Sequence, residues 1–527
     1  MKKFLALFFT LSMLMAVFCG YAGSAEAAEN ADKVLTVRTS SSMQSTDWAQ
    51  TTHLADAQIL WQNVFEGLYG MNEARGGYYH SLAKDVKISE DQLTYTITLV
   101  DATFQNGEPL KASDVVFTYK RALDIPRLKY LTSMLDTVSA LDDKTVVFKL
   151  KYPYSAIEHT FFSIMIYSEK EVKAIGDSFG TKPHKAGTGA YYIDEYDPAS
   201  SVKLKAHEGY WRGAPNIKNI DVLLITENSA AVIAYENGEI GYMHDAPTSE
   251  WEELVRASDG RNKMIKGNNV RTFYINYESK SNNAILANPL VRKAIFYAID
   301  KETINKISTG GYGSVADEYM PSEYVKTSPP ASAGGFEVYK YNPEKAKSLL
   351  KEAGFTDEQL KAGVPVGTIL TYGATTGEKA KCAQVIQSDL SKIGLKSEVQ
   401  VGDINMTSPM FHSYEYDLGI YGDSGNFDFN NIRQMVHSES KGMDLVRYKT
   451  DDSPFDWRRI EELLDLGVST SDVEKRVVYY TELWKIVMDT ATILPLINMP
   501  IGVVWGADVD PGAINPSYYQ FFEFSWK

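Results

Sequence analysis

Cysteine is nearly missing from this chain of 527 residues, which has two, Cys19 and Cys382. So few exclude a scaffold built on disulfides. Histidines are eight and scattered, at His53, His80, His159, His184, His207, His244, His412 and His437, with no two closer than 23 residues. No H-E-x-x-H and no C-x-x-C occurs, so no short zinc motif is present. A P-loop and a properly flanked G-x-G-x-x-G are missing too, which leaves no sequence sign of a phosphate cradle. Basic residues are in deficit: 53 Lys and Arg stand against 68 Asp and Glu, a net charge of −15. A nucleic-acid binder needs a basic footprint, so that class is set aside. The one extended apolar run, Phe4 to Phe18, covers about 15 residues, short of the roughly 20 that cross a bilayer.

What is present describes a globular protein. Hydrophobic residues make up 44% and charged residues 23%. At roughly 150 residues per domain, the length predicts three or four domains or two large lobes. Aromatics reach 12%, with 33 tyrosines, which suits a chain lining a roomy binding site. Lys2 and Lys3, the short apolar run and Ala25-Glu26-Ala27 read as a secretory signal cleaved after Ala27. That piece carries Lys2, Lys3 and Glu26, net +1, so the remainder is at −16. Cys19 lies where a lipoprotein cysteine would, but Phe18 precedes it where processing wants a small residue, and cleavage is the favoured reading. Cys382, in a helical stretch, is then a lone buried thiol. The mature protein is expected to be soluble and outside the cytoplasm.

Strand and helix periods alternate along the chain. Leu93 to Leu99 alternates apolar and polar residues, as does the stretch with Val146, Phe148 and Leu150, and Val202 to Ala206 gives a further strand. Between the first two, Ser113 is placed to cap a helix whose apolar face is Val115, Tyr119, Ala122 and Leu123. Val291, Ala294, Ile295 and Ala298 share a helix face. Pro343 opens another helix, with Ala346, Leu349 and Leu350 inward and Gly354 as its stop. Pro321 to Gly335 is a loop. The class is α/β with several mixed sheets. Gly422-Asp423-Ser424-Gly425 is similar to the nucleophile loop of trypsin-like proteases, yet a fitting upstream histidine and an all-β chain are both missing. A turn built on Gly and Asp is the simpler reading.

Four motifs occur in order. They are Trp61-Gln62-Asn63-Val64-Phe65-Glu66-Gly67-Leu68-Tyr69; Phe104-Gln105-Asn106-Gly107-Glu108-Pro109 through Asp114-Val115; Gly187-Thr188-Gly189-Ala190-Tyr191-Tyr192 with Tyr210-Trp211-Arg212-Gly213; and Asn288-Pro289-Leu290-Val291-Arg292 through Asp300-Lys301. Together they resemble the family 5 extracellular solute-binding proteins, the oligopeptide- and dipeptide-binding components of ABC importers. Read from the residues alone, the motifs are structural. Gly67 and Gly107 suit tight turns, Asp114 suits a helix N-terminus, and Tyr210 and Trp211 suit packing. Arg292 is expected to pair with an acid such as Asp300.

The resemblance implies a periplasmic-binding-protein-like two-lobe fold of type II, cluster C, with an extra domain. Residues 28–66, 189–280 and 500–527 would form lobe I, 67–188 the extra domain packed on it, and 281–499 lobe II. Hinges are expected near 276–284 and 496–502. It implies a secreted receptor without catalysis or cofactor, monomeric, that takes a small peptide into the interlobe cleft and delivers it to an ABC permease and ATPase. A non-peptide solute (metal chelate, opine or sugar) is the first alternative and a secreted hydrolase the second. Peptides in such clefts are held through their backbone, like an added strand. By spacing, Thr52, His53, Leu54 and Ala55 fall at contact positions, as do Tyr421, Gly422, Asp423, Ser424, Asn426 and Phe427 in the loop that follows Tyr416-Asp417-Leu418. Asn426 stands where relatives place the acid for the peptide's amino group, a departure that Asp423 or Asp428 would have to make good. Tyr274 and Asn276, before the first hinge, and Asn498, at the second, complete the set.

Overall fold

The computed structural model describes residues 32–50, 59–72, 77–279, 283–373, 375–423, 428–437, 445–446, 456–515 and 518–527. The signal segment lies outside them. Strand β1 (Val34–Thr39) is followed by a unit with its own sheet, made of β2 (Ala83–Ile88), β3 (Thr94–Leu99), helix α1 (Ala112–Leu123), β4 (Leu135–Ala140) and β5 (Thr145–Leu150). Its four strands pair antiparallel in the order β2-β3-β5-β4. The alternation read from the sequence is the alternation of burial: Tyr95, Ile97 and Leu99 on β3, and Val146, Phe148 and Leu150 on β5, all point inward. Helix α1 differs from expectation at both ends. It begins at Ala112, before Ser113, and the Asp114 carboxylate accepts from the Lys111 N–H that precedes the first turn. Leu123, expected inside, is exposed at the last position.

The chain then adds β6 (Tyr191–Asp197), β7 (Ser201–Ala206), β8 (Asn219–Leu224), β9 (Tyr242–Ala246) and the long β10 (Asn262–Ile275). Helices α2 (Pro289–Ala298) and α3 (Pro343–Glu352) follow, then β11 (Val364–Tyr372), α4 (Glu378–Lys392), β12 (Leu395–Gly402) and β13 (Leu418–Asp423). Helices α5 (Trp457–Val468) and α6 (Val473–Thr490) lead into the second long strand, β14 (Ile493–Trp505). Helix α2 buries Val291, Ala294, Ile295 and Ala298 as its period predicts. Pro343 opens α3, and Gly354 follows its end with a positive φ of 97°.

One sheet of 11 strands runs through the molecule, in the order β12-β11-β13-β10-β14-β9-β1-β8-β7-β6, with Ser314–Val315 paired to β14. It serves two bodies. The apolar core around β1 and β6 to β8 is continuous with that of the β2–β5 unit and takes in Val503 to Phe524. A second core holds Phe273 to Ile275, the helices from α2 to α6, and Ile493 to Ile497. Among the described strands, β10 and β14 are the two that belong to both bodies. Asn262–Lys266 pairs with Pro500–Val504 in the first body, and Val270–Tyr274 pairs with Ile493–Asn498 in the second. The register slips between Lys266 and Val270, so the passage lies at 267–269 and 499. On the first strand this is upstream of the expected 276–284, because β10 continues unbroken to Ile275. Gly267 is required at the crossing: a Cβ there would overlap the carbonyl oxygen of Met499.

Candidate functional site

The first three motifs are fastened to one another. The Glu66 carboxylate, buried in the first body, accepts from the Tyr210 hydroxyl at 2.8 Å and from Trp211 Nε1 at 3.0 Å. Gln105 donates from Nε2 to the carbonyls of Val64 and Tyr191, both at 2.7 Å, and accepts from the Gly187 N–H. A Cβ at Gly187 or Gly189 would collide with the backbone of Asn63 and Val64. Arg292 corrects the expected acid pairing. Its guanidinium donates to the carbonyls of Thr490, Leu286 and Ala287, each at 2.8 Å, and so ties α2 to the ends of two other segments. These signatures hold the architecture, and the binding surface lies elsewhere.

The candidate binding surface is the gap expected where the two bodies face each other beside the crossing strands. On the first body it is bordered by the C-terminal ends of β1 and β9. There buried Arg38 donates to the carbonyls of Ile225 and Asp245 and to Asn228 Oδ1, leaving the Asp245 carboxylate exposed. On the second body it is bordered by the ends of β11 and β13 and the N-terminus of α4. Arg271, on β10, reaches this edge and pairs with Glu378, Nη2 to Oε1 at 2.6 Å. Lys379 Nζ shares the same Oε1 at 2.9 Å and lies 4.4 Å from the centre of the Tyr372 ring. Burial raises the Glu378 carboxyl, but Arg271 and Lys379 outweigh it and hold the group below the usual range. Burial and then Arg271 lower the Lys379 ammonium, while Glu378 and Asp245, the latter from the opposite body, act the other way. Gly422 makes room for this cluster, since a Cβ there would strike the Arg271 guanidinium.

Away from the crossing strands the two bodies meet again. The Ser155 N–H donates to the Val468 carbonyl at 2.8 Å, and Asn430 Nδ2 lies 3.3 Å from the Tyr154 hydroxyl. Beside them the Tyr78 hydroxyl lies 2.9 Å from His159 Nδ1, among Phe162 and Tyr518. Burial lowers His159 to about 4, against the opposing field of Asp428.

Several residues proposed from the sequence lie outside the described residues: Thr52, His53, Leu54, Ala55, Ser424, Asn426, Phe427 and the side chain of Asp423. The Asp423 backbone pairs with Val270 at the cleft end of β13. Gly422 and Tyr421 are at the same edge, with the Tyr421 ring 5.3 Å from that of Tyr372. Tyr274 is fully buried in the second core. Asn276 is also buried, its amide donating to the carbonyls of Tyr414 and Tyr416. Asn498 stands at the crossing, paired with Val270; its Nδ2 donates to Ser314 Oγ, and its buried Oδ1 has no partner among the described residues. Asp428, the reserve acid, is bound by Arg476 at 2.6 Å. Sequence reasoning missed Arg271, Glu378, Lys379 and Tyr372. The available signal was Arg271, a charge in the apolar strand Val270-Arg271-Thr272-Phe273-Tyr274-Ile275. Cys382 is a buried free thiol raised to about 12 by burial, as its setting in the sequence suggested.

Comparison with known proteins finds a matching family. Residues 77–442 match the family model of the bacterial extracellular solute-binding proteins, family 5 (middle part). The glutathione-binding protein GsiB of Salmonella typhi is 27% identical over 360 residues, 66% of this chain and 65% of that protein. The chain thus matches just under two thirds of that relative's length. The oligopeptide-binding protein AppA of Bacillus subtilis, solved with a nonapeptide, superposes with a TM-score of 0.79 at 20% identity, covering 94% of this chain and 99% of AppA. NikZ of Campylobacter jejuni, solved with Ni(L-His), superposes at 0.77 and 22% identity over 93% and 99%.

Proposed function

The chain belongs to the bacterial extracellular solute-binding proteins of family 5, and from that premise we propose that it captures a small peptide between its two bodies and hands it to an ABC permease and ATPase. It acts outside the cytoplasm, as its family does. We place it in the periplasm or cell envelope, released by cleavage after Ala27 rather than anchored through Cys19. The carrying observation is the two-body sheet in which, among the described strands, β10 and β14 are shared by both bodies, an arrangement that would leave a gap beside the crossing. Such a gap can close on a solute and shield it from water. Kinship with a glutathione-binding protein supports a peptide as that solute. Its relatives are binding proteins, and we assign this chain binding without catalysis.

The contact set we propose is Thr52 to Ala55 on the first body, Tyr421 to Ser424, Asn426 and Phe427 on the second, and Asn498 at the crossing. Mass spectrometry of solute released from purified, denatured protein tests the proposal directly. Peptides are the expected yield; a metal chelate, an opine or a sugar in stoichiometric amount would replace that reading. Asn426 is a neutral group where an ionised one would bond a peptide ammonium about twice as strongly. Wild type is therefore expected to bind a peptide and its N-acetylated twin within a few-fold, and Asn426→Asp to gain about tenfold for the free amine, as calorimetry would read.

A further inference from the structure

We propose that Asn498 sets a hydrogen-bond acceptor at the passage between the two bodies, and that the site selects solutes bringing an uncharged N–H to it; this deepens, and rests on, the reading of the chain as a solute-binding receptor. Asn498 lies on β14 at the step where that strand leaves one body for the other. Its backbone pairs with Val270 of β10 on one side and with Ser314 on the other. One end of its side-chain amide is held, Nδ2 donating to Ser314 Oγ at 3.1 Å. The other end, Oδ1, is buried without a partner among the described residues, and the whole residue is 8% exposed. A buried amide oxygen without a donor is uncommon in a folded protein, and this one calls for a donor from outside the chain.

The surroundings keep that oxygen in place. A Cβ at Gly313 would come within 2.8 Å of the Asn498 carbonyl oxygen, and one at Gly267 within 2.2 Å of the Met499 carbonyl oxygen, so backbone presses on this step from two segments. With Ser314 fixing the far end of the amide, the acceptor is ordered before a solute arrives, which lowers the cost of binding to it. A second acceptor is vacant on the facing strand. Asn269 Oδ1, one residue before Val270, is likewise buried without a partner among the described residues. The charges that flank the passage on β10 are closed in pairs, Lys266 with Glu323 at 2.5 Å and Arg271 with Glu378 at 2.6 Å. A neutral acceptor between two closed ion pairs gives an ammonium no special advantage. It suits an N–H that brings no charge, as in a peptide bond or another secondary amide.

The test uses the full-length chain, stripped of solute by unfolding and refolding, with calorimetry as the readout. The first probes are tri- to pentapeptides and their ester twins, in which oxygen replaces one backbone N–H at a time. The second are N-acetylamino sugars and their O-acetyl twins. In wild type one ester position is expected to lose about three- to thirtyfold in affinity, the worth of a hydrogen bond and of a buried acceptor left unpaired. In Asn498→Leu the parent peptide should weaken by a similar factor, and the loss at that position should shrink to within about twofold. Asn498→Asp keeps an oxygen at the same place and ionises it, so the loss at that position should grow instead, a result that stands even where the Leu variant does not fold. A positional loss that is the same in wild type and in the variants, or peptides that bind with no ester position costing affinity, overturns the inference and leaves the peptide reading standing. If only the amino sugars bind, and their N–H dependence shrinks in Asn498→Leu or grows in Asn498→Asp, the inference stands and the peptide reading falls. If they alone bind and neither variant changes that dependence, or if no probe of either set binds wild type, both fall.

Discussion

His159 shows how one buried side chain ties stability to pH. Its imidazole sits against Tyr78 and Phe162 and is lowered to about 4, mainly by burial, from an ordinary value of 6.5. Between those values the unfolded chain binds a proton that the folded chain refuses. The neutral ring's contribution is present above pH 6.5 and is lost as pH falls toward 4, where the dependence flattens. A shift of that size corresponds to at most about 3.5 kcal/mol. Urea unfolding at pH 7 and at pH 4.5 should show a smaller acid loss in His159→Gln than in wild type. Parallel pH profiles for the two proteins would remove His159 as the cause. At the same scale the motif residues prove structural: Gln105 and Glu66 each satisfy several buried groups drawn from distant segments.

Helix α2 illustrates what an element needs beyond its own period. Its apolar face docks it, but its position relative to β14 depends on Arg292, whose fork reaches three carbonyls on two segments. Arg292→Met keeps the packing stem and strands those acceptors. An expected loss of about 2–5 kcal/mol follows, the range for leaving buried polar groups unpaired. Arg292→Lys should recover little, because an ammonium cannot reproduce the planar fork. Chemical denaturation reads both variants, and a Lys variant as stable as wild type would contradict this account. The long strands make a similar point. β14 has Ser314–Val315 as its other neighbour near Asn498 and β9 from Gly502 onward, β10 gains β13 only from Val270 onward, and the slip between Lys266 and Val270 marks where.

For the whole molecule, closure is the property to measure. The two bodies touch at the crossing strands and again where Tyr154 and Ser155 meet Asn430 and Val468. The second contact lies between the segment after β5 and the α5 region, and it is expected to break when the bodies part. Tyr154→Phe or Asn430→Ala should leave the unliganded melting temperature near wild type. Each should speed solute release about two- to tenfold, the worth of one neutral hydrogen bond. Stopped-flow release of whichever solute the protein carries reads this, and unchanged release in both variants would mean the contact does not hold the closed state. Bound solute should raise the melting temperature by mass action, with one site per chain.

Local pattern was enough for β3, β5, α2, α3 and the buried Cys382, because alternation and helical period report directly on which face meets a core. Ordered motifs were enough for the family, because Gly187 and Gly189 leave no room for a side chain and Gln105 and Glu66 satisfy buried groups from distant segments. The edge of the cleft was not legible in the same way. Arg271, Glu378 and Lys379 are separated by more than a hundred residues at one step, and only the pairing of β10 with β13 and of β13 with β11 brings them together. The passage between bodies was equally hidden, since a strand's sequence states its burial and not the partner it pairs with. Charge placed in a gap is a property of two surfaces at once, and such surfaces exist only after the chain has folded.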